Sequence, residues 1–446
     1  MKSKEVLELL QITRPTLTKY VQNGSIKVNI MPNGRYDYKG GNMTDVQRVE
    51  KHTIKRNHEL YTLIDNYCFK VKNLYNYANY LVRQEFITNG KWIKEYDLSK
   101  MCQSADCYKD IMGQTAQQTI KLLSKNWKSF FASIKDWSKH KEKYTGRPKL
   151  PKYKHKTNGR YIAVFTNQNC KFVEGGYIKF PKVFNQYLLP TKIHGKLQQV
   201  RIIPRNNHYV IEVVYKIAVP SVREDNGRYM SIDIGLDNLA TVVTNTGMKP
   251  VALNGKGLKS INKYYNKQKA HYQEVAKRMN DLHVTNRLTR ITNKRNNMID
   301  DLMHKASKRV LDLALENDIS VIVIGNNKDW KRESNMSKKV NQSFVGIPHQ
   351  RFIEMVKYKA ENVGIKVVLT EESYTSGTSF LDYETPIKES YNKSRRIFRG
   401  LFVSNNGIKI NADVNGAYQI MKKVFPNAFV DGIEGVGLHP IRVAIK

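Results

Sequence analysis

Residues 229–235, with the sequence YMSIDIG, decide the fold of the second half of the chain. A short apolar run of this kind, followed by turn residues, predicts a strand that is buried on both faces. The run contains one carboxylate, Asp233. A carboxylate inside an apolar strand is costly in folding free energy unless it is paired or bound to a cation. Asp233 is therefore the first candidate functional residue.

Three further segments extend this unit. Residues 239–244 (LATVVT) predict a strand that pairs with the first, and residues 320–324 (SVIVI) and 365–369 (IKVVL) predict two more buried strands. A helix predicted from about residue 348 to 363 separates the last two, which implies that they run parallel. The pattern predicts an α/β domain.

The carboxylates of these elements are expected to meet. Glu371 and Glu372 end the last buried strand, and Asp413 lies in the first turn of a predicted helix that follows a hairpin. In open α/β sheets, functional groups gather at the carboxyl ends of the strands. Converging carboxylates without evident lysine partners indicate divalent cations, which can orient water and stabilise the leaving oxygen of a phosphodiester. The alternative is that each acid is an isolated cap or ion pair.

The composition favours a nucleic-acid partner. The chain has 446 residues, with 75 Lys and Arg against 39 Asp and Glu, so its net charge is +36. A membrane surface is the alternative partner for such a charge. No apolar run is long enough to span a bilayer, and the N-terminus lacks the apolar core of a signal peptide. We expect a cytoplasmic, nucleoid-associated bacterial protein.

The cysteines exclude two classes of protein. The four are Cys68, Cys102, Cys107 and Cys170, and no two of them form a C-x-x-C pair. A disulfide scaffold is not expected in so long and cysteine-poor a chain, which suggests a reducing compartment. A four-cysteine zinc ribbon in the second half is excluded, because no cysteine follows position 170.

Residues 1–40 are predicted to form a winged helix-turn-helix. A helix capped by Ser3, a second helix at 14–21 (RPTLTKYV) and a two-stranded wing around the turn at 32–34 follow in that order. This order resembles the DNA-binding head of MerR-type regulators and of some transposon serine recombinases. A generic helical hairpin is the alternative. The predicted DNA contacts are Arg14, Thr16 and Lys19.

The middle of the chain is mixed and basic. Residues 58–145 are predicted to be mostly helical, and residues 160–218 alternate with period two, as in a small β-barrel. Residues 121–160 contain 13 Lys and Arg against two acids. Within them, residues 146–154 (GRPKLPKYK) are expected to be extended and to lie along a phosphate backbone. A solvated basic loop is the alternative.

Several motifs together resemble one nuclease family. Residues 231–241 (SIDIGLDNLAT) resemble the first motif of the RuvC nuclease domain, and residues 411–417 (NADVNGA) resemble its last. Residues 302–307 (LMHKAS) look like the helix before the second RuvC strand. Residues 73–76 (NLYN) and the GRPK segment resemble N-terminal marks of the same family. Over residues 45–430 the chain is similar to TnpB, the RNA-guided endonuclease of insertion sequences and relative of CRISPR type V effectors.

The resemblance implies a multidomain α/β architecture. It consists of a winged helix-turn-helix at 1–40, a wedge β-barrel from 45–57 and 146–222, a helical recognition lobe at 58–145, and an RNase H-like (RuvC) nuclease domain at 228–446. The implied cofactors are two Mg²⁺ ions and a guide RNA from the transposon end, and the implied target is double-stranded DNA. The predicted nucleic-acid contacts in these domains are Asn73, Tyr75, Asn76, Arg147, Lys149, Lys152 and Lys154.

The second RuvC strand departs from the family pattern. Most members end it with a catalytic glutamate, whereas this chain has Gly325, which cannot bind a metal. A branch of the family, like the eukaryotic Fanzor proteins, looks to have moved this glutamate to the strand before the Y-T-S motif. Glu372 is the expected replacement and Glu371 the second choice. The predicted catalytic and metal-binding residues are Asp233, Glu372 and Asp413.

Two other regions depart from the pattern. The insert at 374–410 occupies the place of a zinc ribbon but has no cysteines, so no structural zinc is expected. The winged head at 1–40 is additional to the family's core and suggests an association with a transposon recombinase.

The predicted function is RNA-guided cleavage of DNA beside a short flanking motif. Three alternatives are a nuclease-dead RNA-guided repressor, which Gly325 favours, a compact CRISPR type V effector, and a transcription regulator that acts through the winged head alone. The last leaves most of the chain without a role.

Overall fold

The computed structural model describes residues 7, 14–22, 28–30, 36–38, 43–280, 285–326, 346–398, 400–430, 432 and 436–445. The chain divides into two compact units. The central unit is Asp45–Ala218, and the terminal unit is Met1–Thr44 together with Val219–Lys446. Among the described helices, none combines the length and the apolar character that crossing a membrane requires.

The N-terminal residues include one helix and one ribbon. Helix α1 spans Arg14–Gln22, and β1 (Val28–Ile30) pairs antiparallel with β2 (Tyr36–Tyr38), where the wing was predicted. Arg14 is exposed, whereas the side chains of Thr16 and Lys19 lie outside the described residues. The predicted first helix also lies outside the described residues, except for Leu7, which is helical. The MerR-like head stays a prediction.

The central unit combines helices with two antiparallel sheets. Its elements, in chain order, are β3 (Met43–Lys55), α2 (Tyr61–Asn89), α3 (Glu95–Cys102), α4 (Asp106–Lys109), α5 (Gly113–Lys139), β4 (Ala163–Thr166), β5 (Lys171–Val173), β6 (Tyr177–Lys179), β7 (Leu188–Pro190), β8 (Lys196–Arg205) and β9 (His208–Pro220). The sheet orders are β3-β9-β8-β4 and β5-β6-β7. Closure of these strands into a barrel stays a prediction.

A buried indole joins the two long helices of the central unit. The Nε1 of Trp127 on α5 donates to Oδ1 of Asn79 on α2, at 3.0 Å. The Trp127 ring also meets Phe86 of α2 edge to face, with centroids 5.5 Å apart. The amide therefore satisfies the one polar atom of a large apolar side chain, which fixes the register of the helix pair.

Asp65 joins three separate parts of the central unit. It lies on α2 and accepts hydrogen bonds from Nη2 of Arg160 at 2.6 Å and from the hydroxyl of Tyr209 on β9 at 2.6 Å. Burial opposes ionisation of this carboxyl, but the hydrogen bonds from Arg160 and Tyr209 outweigh it and hold the pKa of Asp65 below its usual value.

The terminal unit carries a six-stranded sheet, which includes the four strands predicted from the sequence. After residue 220 its elements, in chain order, are β10 (Tyr229–Asp233), β11 (Asn238–Thr244), β12 (Val251–Asn254), α6 (Lys256–Asn280), α7 (Asn286–Glu316), β13 (Val321–Gly325), α8 (His349–Glu361), β14 (Lys366–Thr370), β15 (Leu401–Val403), β16 (Lys409–Asn411), α9 (Ala412–Val424) and β17 (Ile441–Val443). The strand order is β14-β13-β10-β11-β12-β17.

The pairing of the first strands is as predicted, but β14, which was predicted to be buried, is a partly exposed edge strand. β10 is antiparallel to β11 and parallel to β13, and β13 is parallel to β14. Ile232 is opposite Ile324, and Gly325 is opposite Thr370. The carboxyl ends of β10, β13 and β14 therefore lie at one edge of the sheet, where functional groups gather in such folds.

The LMHKAS motif packs one helix against another. Met303 and Ala306 of α7 are buried in the core. Nζ of Lys359 on α8 donates to Oγ of Ser307 at 2.8 Å and to the carbonyl of His304 at 2.7 Å. Burial, followed by the nearby charge of Lys308, lowers the pKa of Lys359 to about 8. The motif thus has a structural role here.

The insert at 374–410 is held by ion pairs. Nη1 of Arg395 lies 2.8 Å from Oε1 of Glu384 and 3.6 Å from Oδ2 of Asp382. The Arg395 side chain is 15% exposed, so these pairs are shielded from solvent. The predicted hairpin is confirmed as the antiparallel pair of β15 and β16. Side chains of opposite charge hold together a segment in which a zinc ribbon would use a metal.

We predict that Asp65→Asn destabilises the central unit by about 1.5–3 kcal/mol, the range for hydrogen bonds to charged groups. The pKa of Asp65 is lower in the folded protein than in the unfolded chain. Its contribution to the free energy of unfolding is therefore fully present above the unfolded-state pKa, and it is lost as the pH falls through the folded-state pKa. Denaturant titrations at neutral pH and below pH ~4 measure both effects, with the model-compound pKa of about 3.9 as reference.

The control is Asp97→Asn, an exposed acid in the first turn of α3. That change should cost at most about 1 kcal/mol, through the helix dipole. Equal losses for the two variants would contradict the role assigned to Asp65.

Candidate functional site

The end of β10 presents Asp233 to two other carboxylates. Burial and the negative charges of Glu372 and Asp413 together raise the pKa of Asp233 well above its usual range, and the charge of Arg396 opposes them. Burial is the larger cause, because it disfavours the charged form, and the two like charges add to it. The structure thus brings together the three acids that were predicted from separate segments.

Glu372 lies in the space beside Gly325. A Cβ atom on Gly325 would lie 2.6 Å from Cγ of Glu372 and 2.6 Å from Cδ1 of Ile420, which is far inside van der Waals contact. The Glu372 side chain therefore occupies the room that any side chain at position 325 would need. Glycine on β13 and glutamate after β14 form one packing arrangement.

The environment of Glu372 disfavours its charge. Burial raises the pKa of Glu372 to about 7, and Lys423 opposes the shift. Glu371, by contrast, is exposed, and its side chain accepts a hydrogen bond from Ser373. Successive residues of an extended chain point to opposite sides, so only one of the two glutamates can face Asp233. The structure places Glu372 there.

Helix α9 crosses close over Asp233. A Cβ atom on Gly416 would lie 3.1 Å from Oδ2 of Asp233, tighter than most carbon contacts. Oγ of Ser231 on β10 donates to the carbonyl of Ala417 on α9, at 2.5 Å. The small residue at 416 and this hydrogen bond bring the helix next to the strand that carries Asp233.

Asp413 is oriented from three directions. The side chain of Asn411 caps α9 by accepting from the backbone N–H of Asp413 at 3.0 Å. Nδ2 of Asn238, at the start of β11, donates to Oδ2 of Asp413 at 2.9 Å. Nη2 of Arg396 lies 3.9 Å from Oδ1. The N-terminus of α9 also favours a negative charge at this position.

Comparison with known proteins finds similarity to one family over two segments of the chain. Residues 212–331 match the model of the family described as OrfB_IS605, probable transposase. Residues 349–420 match the model described as the Cas12f1-like TNB domain. Over these two segments the chain is similar to the TnpB (OrfB_IS605) family.

Individual proteins are similar to the chain as well. The TnpB-like protein ORF457 of Acidianus two-tailed virus is 24% identical over an alignment of 387 residues that covers 78% of this chain and 80% of the viral protein. The CRISPR-associated endodeoxyribonuclease Cas12f2 of a Micrarchaeota archaeon is 24% identical over an alignment of 295 residues that covers 57% of this chain and 52% of that relative. This chain thus matches about half of the Cas12f2 protein.

One solved structure with a similar chain is a cryo-EM structure of a CRISPR-Cas12f ternary complex. It shares 14% identity and covers 80% of this chain and 81% of its own, with a TM-score of 0.37. A TM-score of this size does not establish a common arrangement of domains.

Asn415 shapes the site, and its role was missed in reasoning from the sequence. It is fully buried on α9. Its Nδ2 donates to the carbonyl of Thr378 at 2.8 Å, and its Oδ1 accepts from the N–H of Phe380 at 2.9 Å. The amide thus ties α9 to the loop that follows Glu372. A polar residue two positions after Asp413, within the otherwise apolar stretch 414–417, is the signal that could have revealed it.

The carboxylates fit a hard divalent cation by their chemistry. All three offer carboxylate oxygens, the ligands that Mg²⁺ prefers. In the described part of the chain, however, no three His, Cys, Asp or Glu side chains are spaced closely enough to hold an ion. Asp413 already has Asn238 and Arg396 next to its two oxygens. It is therefore the ligand whose contacts would have to change.

The predicted nucleic-acid residues of the central unit form a second surface. We call residues 146–156 the basic strap. Asn76 on α2 binds the backbone of Lys154 twice, donating from Nδ2 to its carbonyl at 2.9 Å and accepting from its N–H at 2.8 Å. The hydroxyl of Tyr75 donates to the carbonyl of Lys152 at 3.1 Å. Asn79 and Arg83 both donate to the carbonyl of Pro151.

These contacts change the role of two predicted residues. Tyr75 is only 2% exposed, so the prediction that it touches nucleic acid is wrong. Asn76 uses both of its polar atoms on the strap, so it too acts by positioning. Asn73 is half-buried on α2. The predicted contact residues of the strap, Arg147, Lys149, Lys152 and Lys154, are all exposed.

We predict that Gly325→Ala destabilises the terminal unit by about 1–3 kcal/mol, as overpacking does in other cores. The new methyl group collides with Glu372. Adding Glu372→Ala should remove the collision, so the double variant should lose less stability than the sum of the two single losses. Thermal unfolding of the four proteins measures this coupling.

The control is Gly257→Ala on α6, where the nearest heavy atom to a new Cβ is Cδ1 of Leu302 at 3.6 Å. That substitution should be neutral or stabilising, because alanine favours a helix over glycine by about 0.5–1 kcal/mol. Strict additivity at positions 325 and 372 would show that Glu372 does not occupy the space.

Proposed function

We propose that this protein is an RNA-guided, metal-dependent DNA endonuclease that cuts target DNA beside a short flanking motif. The observation that carries the proposal is the position of Glu372 in the space beside Gly325. It supplies a third carboxylate to a site that would otherwise have only Asp233 and Asp413. The raised pKa of Asp233, caused by burial and the two neighbouring carboxylates, supports a cluster that attracts cations.

Asp233, Glu372 and Asp413 would hold two Mg²⁺ ions. When bound, such ions polarise a phosphodiester and activate the attacking water. Other side chains of the protein orient the carboxylates and the DNA strand. Asn238 orients Asp413 through its hydrogen bond, and Gly416 leaves room for Asp233 under α9. Arg396, beside Asp413, is placed to hold a phosphate of the strand near the carboxylates.

Guide and target binding would fall to the basic surfaces. The exposed cations of the strap suit recognition of a folded RNA through its phosphates and shape. The net charge of +36 supports a polyanionic partner. The Cas12f2 relative is described as an endodeoxyribonuclease, and a related Cas12f1 structure is described as a complex with single-guide RNA and target DNA. Those descriptions support both partners for this chain.

We predict that Glu372→Gln abolishes guided cleavage while leaving RNA and target binding intact. The amide keeps the size of the side chain and removes its charge. The rate should fall by more than about 100-fold, since even residues that only support a metal ligand contribute 10–100-fold. Single-turnover cleavage with guide RNA, target duplex and Mg²⁺ measures this loss.

Glu371→Gln is the matched control, one residue away with an exposed side chain. It should cut at close to the wild-type rate. Loss of cleavage in Glu371→Gln but not in Glu372→Gln would reverse the assignment. If the wild type does not cut under the same conditions, the nuclease-dead repressor replaces the proposed function.

A double variant that moves the glutamate from position 372 to position 325 is a second test of the site. The double variant Gly325→Glu/Glu372→Ala puts the glutamate on β13 and empties the space that it needs, apart from the end of Ile420. It should cut DNA at least about 10-fold faster than Glu372→Ala alone, because one carboxylate is restored to the same pocket. Equal rates in the two variants would show that the site requires the chain path after β14.

A further inference from the structure

The insert presents two apolar side chains to solvent beside the carboxylate site. Ile397 and Phe398 are each 61% exposed. They directly follow Arg396, whose guanidinium lies 3.9 Å from Asp413. Two residues of chain span at most about 7 Å, so the backbone of Phe398 lies within that distance of the backbone of Arg396.

The segment that carries Phe398 is anchored on both sides. Before it, the ion pairs of Arg395 hold this stretch to Asp382 and Glu384 of the same insert. After it, the carbonyl of Gly400 accepts from the N–H of Ala412 at 3.2 Å and from Nδ2 of Asn411 at 3.1 Å. Both partners belong to the start of α9, next to Asp413. The exposed ring is therefore positioned by the same helix terminus as the carboxylate.

Cations and aromatic rings alternate in this part of the insert. Lys393 is exposed, Arg396 is half-exposed, and the exposed ring of Tyr391 meets Tyr374 edge to face, with centroids 5.8 Å apart. Tyr374 itself follows Glu372 by two positions. Basic residues interleaved with exposed rings are typical of surfaces that bind single strands, because phosphates meet the cations and bases stack on the rings.

We propose that Phe398 is a stacking platform for a base of the single DNA strand that enters the carboxylate site. This inference rests on the proposed function, because it takes the strand to be the one that is cut. Every base has a π-face, so the ring holds the strand without reading its sequence. A protein partner fits the surface less well, since the apolar pair is small and has cations next to it in the chain.

The decisive experiment is local photo-crosslinking. Phe398→p-benzoylphenylalanine, in the full chain with Asp233→Ala to prevent cutting, is irradiated with a labelled 20-nucleotide single-stranded DNA, and separately with guide RNA and target duplex. The same photoreactive residue at Tyr264, an exposed ring on α6 that is 68% exposed, is the control. We expect crosslinks to the DNA strand at position 398 well above those at position 264.

Affinity provides a second measurement. Phe398→Ala should weaken binding of a short oligo(dT) strand by about 5- to 150-fold, whereas Phe398→Trp should preserve it. The slope of log Kd against log salt should be unchanged, because removing a neutral ring releases no counterions. Lys393→Ala should reduce that slope.

The possible outcomes separate this inference from the proposed function. Crosslinks at position 398 that equal the control, or that reach only guide RNA or another copy of the protein, would overturn the platform. So would a Kd unchanged in Phe398→Ala. If position 398 crosslinks to DNA but the wild-type protein never cuts, the proposed nuclease function is rejected and the role of Phe398 in stacking is supported. If the wild type cuts target DNA but position 398 does not crosslink, the stacking role is rejected and the nuclease function is supported.

Discussion

The carboxylate site depends on one packing interaction, the insertion of the Glu372 side chain into the space beside Gly325. A Cβ atom at position 325 would lie 2.6 Å from both Glu372 and Ile420, so the glutamate can be there only because the strand carries glycine. Glycine on β13 and the glutamate after β14 are therefore coupled by packing. Strand β13 itself supplies no carboxylate to the site.

The rest of the terminal unit brings like charges together and limits their repulsion. Ser231 and Gly416 draw α9 onto β10, and the helix terminus places Asp413 near Asp233. Lys423 offsets the charge of Glu372, and Arg396 offsets that of Asp233. The burial that raises the pKa of Asp233 disfavours its charge, and a bound cation would relieve this cost.

Ion pairs and a buried amide hold the insert together. Arg395 pairs with Asp382 and Glu384, and the buried amide of Asn415 holds the preceding loop. Such pairs depend on geometry, since each buried charge needs its partner. They keep the segment from Arg396 to Phe398 next to the carboxylates, which is where a strand entering the site would pass.

The sequence alone predicted the buried strands β10 and β13, the parallel pair, the positions of Asp233 and Asp413, and the preference for Glu372 over Glu371. These follow from local periodicity and from motifs within a few residues, including the family resemblance. Only the tertiary structure decided that Asn238 orients Asp413 across 175 positions of chain, that Glu372 fills the space at Gly325, and that Tyr75 holds the basic strap. Contacts between distant segments depend on how whole elements pack, and no local pattern encodes that.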